Sequence, residues 1–135
     1  MSNGFYEKSG EALSQKKINW LEDTIRLVLL DLKMYTPDLQ QHEFLSSVPK
    51  AARIAVSEPL TGKTVTGFVW DADDLSLPKV TGAVGAGVVL FQQTMFDKTS
   101  RLLLFVDTAP WLPFQPNGGD LQIRWSDGPN KVCRF

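Results

Sequence analysis

The pattern of apolar and polar positions divides this chain into a short helical part and a longer part made of short strands. Near the amino terminus, Phe5, Ala12 and Leu13 form a narrow apolar stripe among charged residues, which predicts a short surface helix weakened at Gly10. Most of the remaining chain consists of runs rich in β-branched and aromatic residues, which are typical of strands. The predicted strands are Arg53–Val56, Thr64–Trp70, Gly87–Phe91, Leu102–Val106, Leu121–Trp125 and Lys131–Phe135.

Turn-forming residues separate these runs at a spacing close to that of a β-sandwich. In the fifth run, Leu121, Ile123 and Trp125 alternate with polar residues, which indicates one core-facing and one solvent-facing side. The run Leu102–Val106 is apolar throughout. We therefore expect it to be a central strand, or one whose second face is covered by the helix or by a neighbouring subunit.

The segment from Asn19 to Leu32 fits two structures. Asn19 followed three residues later by Glu22 resembles a capping box, and the apolar residues that follow share one helical face. The same residues also alternate as in a strand, and the segment ends in Tyr35–Asp38, a turn signal that follows either element. Periodicity by itself leaves both interpretations open.

Composition and charge exclude several classes of function. The 135 residues fit one domain, so we draw no boundary within residues 1–135, and 43% apolar residues supply a core. A net charge of −1 gives no attraction to nucleic acid or anionic lipid. The amino terminus lacks the apolar stretch of a secretory signal peptide, and the longest apolar stretch, Gly82–Phe91, is too short to span a bilayer. Cys133 is the single cysteine, so it cannot form a disulfide within the chain. We expect a soluble protein made in a reducing cytoplasm.

The motifs that could carry catalysis are incomplete. Leu60–Thr64 contains Gly-Lys-Thr, but Ser57 stands where a phosphate-binding loop begins with glycine. His42 begins a zinc-protease motif whose second histidine is replaced by Ser46. Asp71, Asp73 and Asp74 could hold calcium or pair carboxylates for acid–base catalysis, but solvated carboxylates of a turn are the simpler explanation. We predict no catalytic residue, no metal site and no cofactor. We therefore expect that the protein is not an enzyme.

The proline-rich segment from Thr108 to Pro116 carries the aromatic residues of greatest interest. Its three prolines favour an extended conformation that displays Trp111, Leu112 and Phe114. These side chains could anchor a protein interface, stack on a sugar, or fold back to cover the core. The sequence leaves these three alternatives open.

The chain contains a series of turn and strand signatures from about residue 5 to the carboxyl terminus. The signatures are Thr24–Leu27, Tyr35–Pro37, His42–Ser46, Leu60–Thr66, Asp71–Asp74, Val80–Gly82, Asp107–Thr108, Leu112–Pro113, Pro116–Asp120, Trp125 and Asn130–Lys131. As a series they resemble a family of small tailed-bacteriophage virion proteins, and none of them is catalytic. The resemblance implies a strand over Thr24–Asp31 and a one-turn helix over Gln41–Ser46.

This chain departs from the family pattern where it is bulkier. The family has a longer, polar segment rich in Thr and Ser near Gln92–Ser100 and less bulky side chains near Trp111–Phe114. This chain instead carries Met95, Phe96, Trp111 and Phe114 at these places. These departures suggest a particular contact surface. The predicted contact residues are Trp111, Leu112, Phe114, Met95 and Phe96.

The hypothesis from sequence is a mainly β, single-domain β-sandwich of about seven strands with a short N-terminal helix. The resemblance implies a capsid decoration or cement protein that bridges the major capsid protein or other virion proteins. We expect a homo-oligomer, located in the virion after assembly in the host cytoplasm, with no nucleic acid and no membrane as partners. The alternatives are a tail, neck or fibre-attachment protein, and a carbohydrate-binding module.

Overall fold

The computed structural model describes residues 4–66, 69–107, 111–125 and 133–134. Its helical segments are α1 (Glu7–Ser14) and two 3-10 turns at Leu45–Ser47 and Lys50–Ala52. Its strands are β1 (Gly4–Phe5), β2 (Ile25–Leu30), β3 (Arg53–Val56), β4 (Thr64–Thr66), β5 (Val69–Asp71), β6 (Leu75–Leu77), β7 (Gly87–Gln92), β8 (Arg101–Val106), β9 (Leu121–Ile123) and β10 (Cys133–Arg134).

The main element is a five-stranded antiparallel sheet with the order β1-β8-β7-β2-β3. The strands β10, β5 and β4 form a second sheet, and β6 pairs with β9. The register of β2 and β7 extends from Ile25 opposite Gln92 to Leu30 opposite Gly87, so every residue of both strands is paired.

The three middle strands of the five-stranded sheet, β8, β7 and β2, are buried on both faces. Leu27, Leu90 and Leu104 lie opposite one another on the face that packs against the smaller sheets. Since alternate residues of a strand point to opposite faces, their neighbours Val89 and Phe105 belong to a second apolar cluster on the other face. That second face is covered by Tyr6 and by side chains from residues 35–52.

The prediction of a mainly β domain with a short N-terminal helix is confirmed. The apolar run Leu102–Val106 forms β8, which lies between β1 and β7 and is therefore not an edge strand, as expected. Ser9 of α1 is buried against this strand, where its hydroxyl donates to the carbonyl of Leu103 (3.2 Å) and to that of Tyr6 (2.6 Å). Both faces of β8 are covered within this chain.

The ambiguous segment from Asn19 to Leu32 forms a turn followed by a strand, and not a helix. The side chain of Asn19 accepts hydrogen bonds from the amides of Leu21 (3.1 Å) and Glu22 (3.2 Å) and so caps a single turn. Strand β2 spans Ile25–Leu30, one residue shorter at each end than the strand Thr24–Asp31 that the resemblance implied. The amide N–H of Gln93 donates to the carbonyl of Thr24, which extends the pairing of β2 with β7 by one residue. This pairing with β7 stabilises the strand, whereas a longer helix would lose it.

Several boundary predictions are wrong. Thr64–Trp70 is a hairpin of β4 and β5, with Thr66 opposite Val69, because a strand-forming run does not distinguish one strand from two joined by a short turn. The helical turn expected over Gln41–Ser46 lies at Leu45–Ser47, since Phe44 forms a bridge with Arg101.

Other predicted strands differ in length or number. Phe5 belongs to β1 rather than to the helix, and Leu75–Leu77 adds β6, so the strands are more numerous than the roughly seven expected. Strands β7 and β8 are each one residue longer than predicted. The strand at Leu121 ends at Ile123, although Trp125 remains buried as its alternation predicted. Of the predicted strand Lys131–Phe135, the structure describes Cys133–Arg134, and the rest lies outside the described residues.

We expect Leu27→Ala to lower the free energy of unfolding by about 3 kcal/mol, because Leu27 is fully buried in the sheet and its truncation leaves a cavity. The matched control is Leu21→Ala, since Leu21 is 49% exposed and its truncation should cost less than about 0.5 kcal/mol. Urea unfolding of both variants measures the difference. Equal losses would contradict the proposed location of the core.

Candidate contact surface

The five predicted contact residues lie at opposite ends of the central sheet. Phe114 exchanges backbone hydrogen bonds with Gly85 (2.8 and 2.9 Å), just before β7 begins. Met95 and Phe96 follow the other end of β7. Because a strand rises about 3.3 Å per residue, the two groups are separated by roughly 20 Å. They cannot form one continuous contact surface.

At the first end, the side chains of the predicted segment pack against the core. The ring of Trp111 meets that of Trp125 edge-on, with centroids 6.3 Å apart, and its indole N–H donates to the carbonyl of Arg124 at 3.2 Å. Leu112 and Phe114 are half-buried against the same apolar cluster. These contacts favour the alternative in which the segment covers the core. Residues 108–110 lie outside the described residues.

The tryptophans are tied to the acidic turn at residues 71–74. Trp20 stacks on Trp70 with centroids 4.7 Å apart, and its indole N–H donates to the carbonyl of Asp71 at 3.3 Å. The indole of Trp125 donates to the carbonyl of Asp73 at 3.1 Å. The turn therefore organises the aromatic packing of the core.

The acidic side chains of this turn also have structural partners. The carboxylate of Asp74 accepts the amide N–H of Trp125 at 2.9 Å. The carboxylate of Asp73 accepts the hydroxyl of Thr61 at 3.2 Å and lies so close to Gly62 that a Cβ there would overlap it. Gly62 has a φ of +61°, a conformation that glycine adopts without strain. Across the described residues, no three His, Cys, Asp or Glu side chains converge to hold a metal ion.

At the second end of the sheet, Met95 and Phe96 extend into solvent. Met95 is 87% exposed and Phe96 is 56% exposed, although both side chains are apolar. They stand in the 93–100 loop, which joins β7 to β8. We call these two residues the apolar tip.

Hydrogen bonds within the 93–100 loop fix its backbone. The carbonyl of Phe96 accepts from the hydroxyls of Thr99 and Ser100 and from the amide of Ser100, each at 3.0 Å. The buried Ser100 hydroxyl also accepts the amide N–H of Thr94 at 3.0 Å. The backbone that carries the apolar tip is therefore held in one conformation.

A second set of bonds attaches this loop to the 45–48 segment. The guanidinium of Arg53 pairs with Asp97 at 2.8 Å and donates to the carbonyls of Leu45 (2.9 Å) and Val48 (2.8 Å). The amide of Leu45 donates to the carbonyl of Ser100 at 2.7 Å. Because the loop is already ordered, binding through the apolar tip would cost little conformational entropy.

The charged groups around the apolar tip leave a positive side chain available. The carboxylates of Asp97 and Glu43 are paired with Arg53 and Arg101, at 2.8 Å in each case. Lys98 is exposed and makes no ion pair within the part of the chain that the structure describes. A partner with an apolar depression and a nearby carboxylate would complement this surface.

Sequence reasoning selected the apolar tip but missed the residues that support it. Arg53 and Ser100 looked like ordinary strand and loop residues, and Asp97, the ion-pair partner of Arg53, lies 44 positions away in the chain. The only local signal was the group of hydroxyl residues around the tip, since such side chains often bond to nearby backbone in turns.

No protein-family model matches this chain, and a search of curated proteins finds no match. Within the described ranges, no helix combines the length and apolar character needed to cross a bilayer.

We expect Ser100→Ala to lower the free energy of unfolding by about 1–2 kcal/mol, because it leaves the amide of Thr94 without its acceptor. The amide of Thr94 should also exchange faster with deuterium. Thr99→Ala is the control, since Thr99 is exposed and the Phe96 carbonyl still accepts from the hydroxyls of Thr94 and Ser100 and from the amides of Thr99 and Ser100. Unchanged Thr94 exchange in the Ser100 variant would contradict the described support of the loop.

Proposed function

We propose that this protein is a structural component of a tailed-bacteriophage particle, and that it acts as a capsid decoration or cement protein. The observation that carries the proposal is the apolar tip, two adjacent solvent-exposed side chains on a loop held by its own hydrogen bonds. The resemblance of the turn and strand series to small virion proteins supplies the biological context. A protein with this role needs contact surfaces on a rigid scaffold rather than a catalytic site.

The fold suits a protein that bridges neighbours. The apolar tip lies at one end of the central sheet, and the half-buried Trp111–Phe114 segment lies at the other, roughly 20 Å away by strand rise. Contacts made at both ends would connect two subunits through the central sheet, whose middle strands β2, β7 and β8 are buried on both faces. Repeating a small contact over many copies raises the overall avidity without enlarging any single interface.

Insertion of the apolar tip into a depression on a capsid subunit would provide the binding energy. Burying apolar surface contributes about 25 cal/mol per Å². The loop is pre-ordered, so less of this energy is spent on fixing the chain. Homo-oligomerisation on the particle remains part of the proposal, since closed symmetry would place several tips on one partner.

The carbohydrate-binding alternative has less support. A sugar platform requires an aromatic face open to solvent, whereas Trp111 is packed against Trp125 and donates its indole N–H to Arg124. Phe114 is likewise held by its backbone bonds to Gly85. Loss of glycan binding in Trp111→Ala would favour this alternative over the virion role.

Quantitative mass spectrometry of purified particles from the source phage tests the location. We expect about one copy of this chain per major capsid subunit, because a cement protein follows the symmetry of the shell. A handful of copies per particle would move the protein to the tail, neck or fibre-attachment region. Its absence from the particles would overturn the virion role.

We expect the double substitution Met95→Ser and Phe96→Ser to weaken rebinding to particles stripped of this protein by about tenfold or more, because it removes most of the apolar area of the tip. Met34→Ser is the matched control, since Met34 is 52% exposed but follows β2 at the other end of the sheet. Thermal unfolding should change little in either variant. Unchanged rebinding of the double variant would contradict a role for the tip.

A further inference from the structure

Strand β3 forms one edge of the central sheet, and within the described residues it pairs only with β2. The residue that follows it, Ser57, donates its amide N–H to the carbonyl of Leu27 on β2 at 2.8 Å. Because the direction of hydrogen bonding alternates along an antiparallel strand, the N–H and C=O groups of Val56 point away from β2. The edge of the sheet is therefore open at Val56.

The side chains along this edge are ones that an added strand can bury. Val56 is apolar and 48% exposed, although it lies directly opposite the fully buried Val28. Ile54 and Ala55 are half-buried. Neither a proline nor a charged residue interrupts Ile54–Val56, and those are the residues with which proteins usually block an edge strand. A strand added here would extend the apolar sheet past Val56.

Opposite charges flank the open edge. Lys50 stands before β3 and Glu58 stands after it, and both are exposed. Neither side chain forms an ion pair in the part of the chain that the structure describes. Arg53, the charged residue at the start of the strand, is already paired with Asp97 at 2.8 Å. A complementary strand therefore has a negative group beside Lys50 and a positive group beside Glu58.

We propose that the open edge of β3 binds the same edge of a second copy of this chain, with the two β3 strands antiparallel about a two-fold axis. In that arrangement the Lys50 end of each strand lies beside the Glu58 end of the other, so one strand complements the charges of its own copy. The N–H and C=O groups of Val56 gain partners across the axis. Parallel pairing would instead bring like charges together.

The exposed edge of the smaller sheet lacks this complementarity. Strand β4 is exposed throughout, and Val65 at its centre is 44% exposed. Lys63 precedes this strand, but no acidic residue lies between β4 and β5. The ammonium of Lys63 donates instead to the carbonyl of Asp23 in the same chain. The two edges are therefore alike in exposure and differ in charge pattern, which makes β4 a matched control.

The symmetry decides how a dimer would present its apolar tips. A two-fold axis that relates antiparallel edge strands is perpendicular to the sheet, so both copies turn the same face to the same side. Arg53 bonds to Leu45 and Val48 of the covering layer and to Asp97, which holds the 93–100 loop on the covered side. Both tips would then face one partner and raise the avidity. This consequence rests on the proposed function, whereas the pairing of β3 does not.

The expected dimer is weak. Strand β3 has four residues, so its pairing forms a short ladder, and interfaces below about 1,200 Å² are typical of transient complexes. We expect the isolated protein to be monomeric at about 10 µM and to form dimer at about 1 mM. Attachment of many copies to one particle would favour the dimer by raising their local concentration.

Sedimentation of the isolated protein over this concentration range, combined with hydrogen exchange, tests the pairing. We expect the amide of Val56 to exchange about fivefold or more slowly at about 1 mM than at about 10 µM, because it is bonded only in the dimer. The amides of β7, which is paired on both sides, should not change. A monomer at about 1 mM, or a dimer in which the Val56 amide stays unprotected, would overturn the proposal.

Val56→Lys tests the edge directly, because it places two like charges at the axis. We expect it to weaken dimerisation by about tenfold or more. Val65→Lys makes the same change on β4 and should leave dimerisation unaltered. Thermal unfolding of both variants checks that the fold is retained. Loss of the dimer in Val65→Lys but not in Val56→Lys would assign the contact to β4 and so refute the assignment to β3.

Exchange of the flanking charges tests the antiparallel direction. Lys50→Glu and Glu58→Lys should each weaken dimerisation by about threefold, because each places like charges side by side. The double variant should recover the original affinity, since opposite charges meet again. A double variant at least as weak as either single variant would rule out antiparallel pairing.

Rebinding of Val56→Lys to stripped particles separates this inference from the virion role. We expect about tenfold weaker rebinding, because a monomer presents one tip at a time. If the unmodified protein dimerises but Val56→Lys rebinds equally well, the pairing of β3 has no part in binding to the particle. If the unmodified protein does not rebind at all, the virion role fails, whereas sedimentation still decides the pairing of β3.

Discussion

The burial of strands β2, β7 and β8 on both faces is the constraint on which the rest of this structure depends. A strand that is apolar on both sides needs its backbone paired along its length and a cover above and below it. The smaller sheets and their tryptophans cover one face, and Tyr6 with residues 35–52 covers the other. The covering layers are short and irregular, so specific polar bonds must hold them.

Those polar bonds account for most of the side chains that looked chemically interesting. Asp73 and Asp74 fix the turn on which the tryptophans are arranged, and Arg53 joins the 45–48 segment to the 93–100 loop. His42 closes the turn over Tyr35. Each of these titratable side chains therefore helps to hold a covering segment in place.

The covering layer at residues 35–52 is joined by hydrogen bonds to the loop that carries the apolar tip. The segment closed by His42 continues into Phe44, which pairs with Arg101 at the start of β8. The next residue, Leu45, donates its amide N–H to the carbonyl of Ser100 in the 93–100 loop. The same short segments therefore cover the core and support the apolar tip.

Local patterns in the sequence are enough to predict helix α1, the turn at Asn19, the apolar strands β7 and β8, and the contact residues Met95 and Phe96. Long-range pairing makes Ile25–Leu30 a strand, divides Thr64–Trp70 between β4 and β5, and places the predicted contact residues at opposite ends of the sheet. Strand pairing joins residues far apart in the chain. A local pattern records which side chains prefer burial, but not which partner completes their hydrogen bonds.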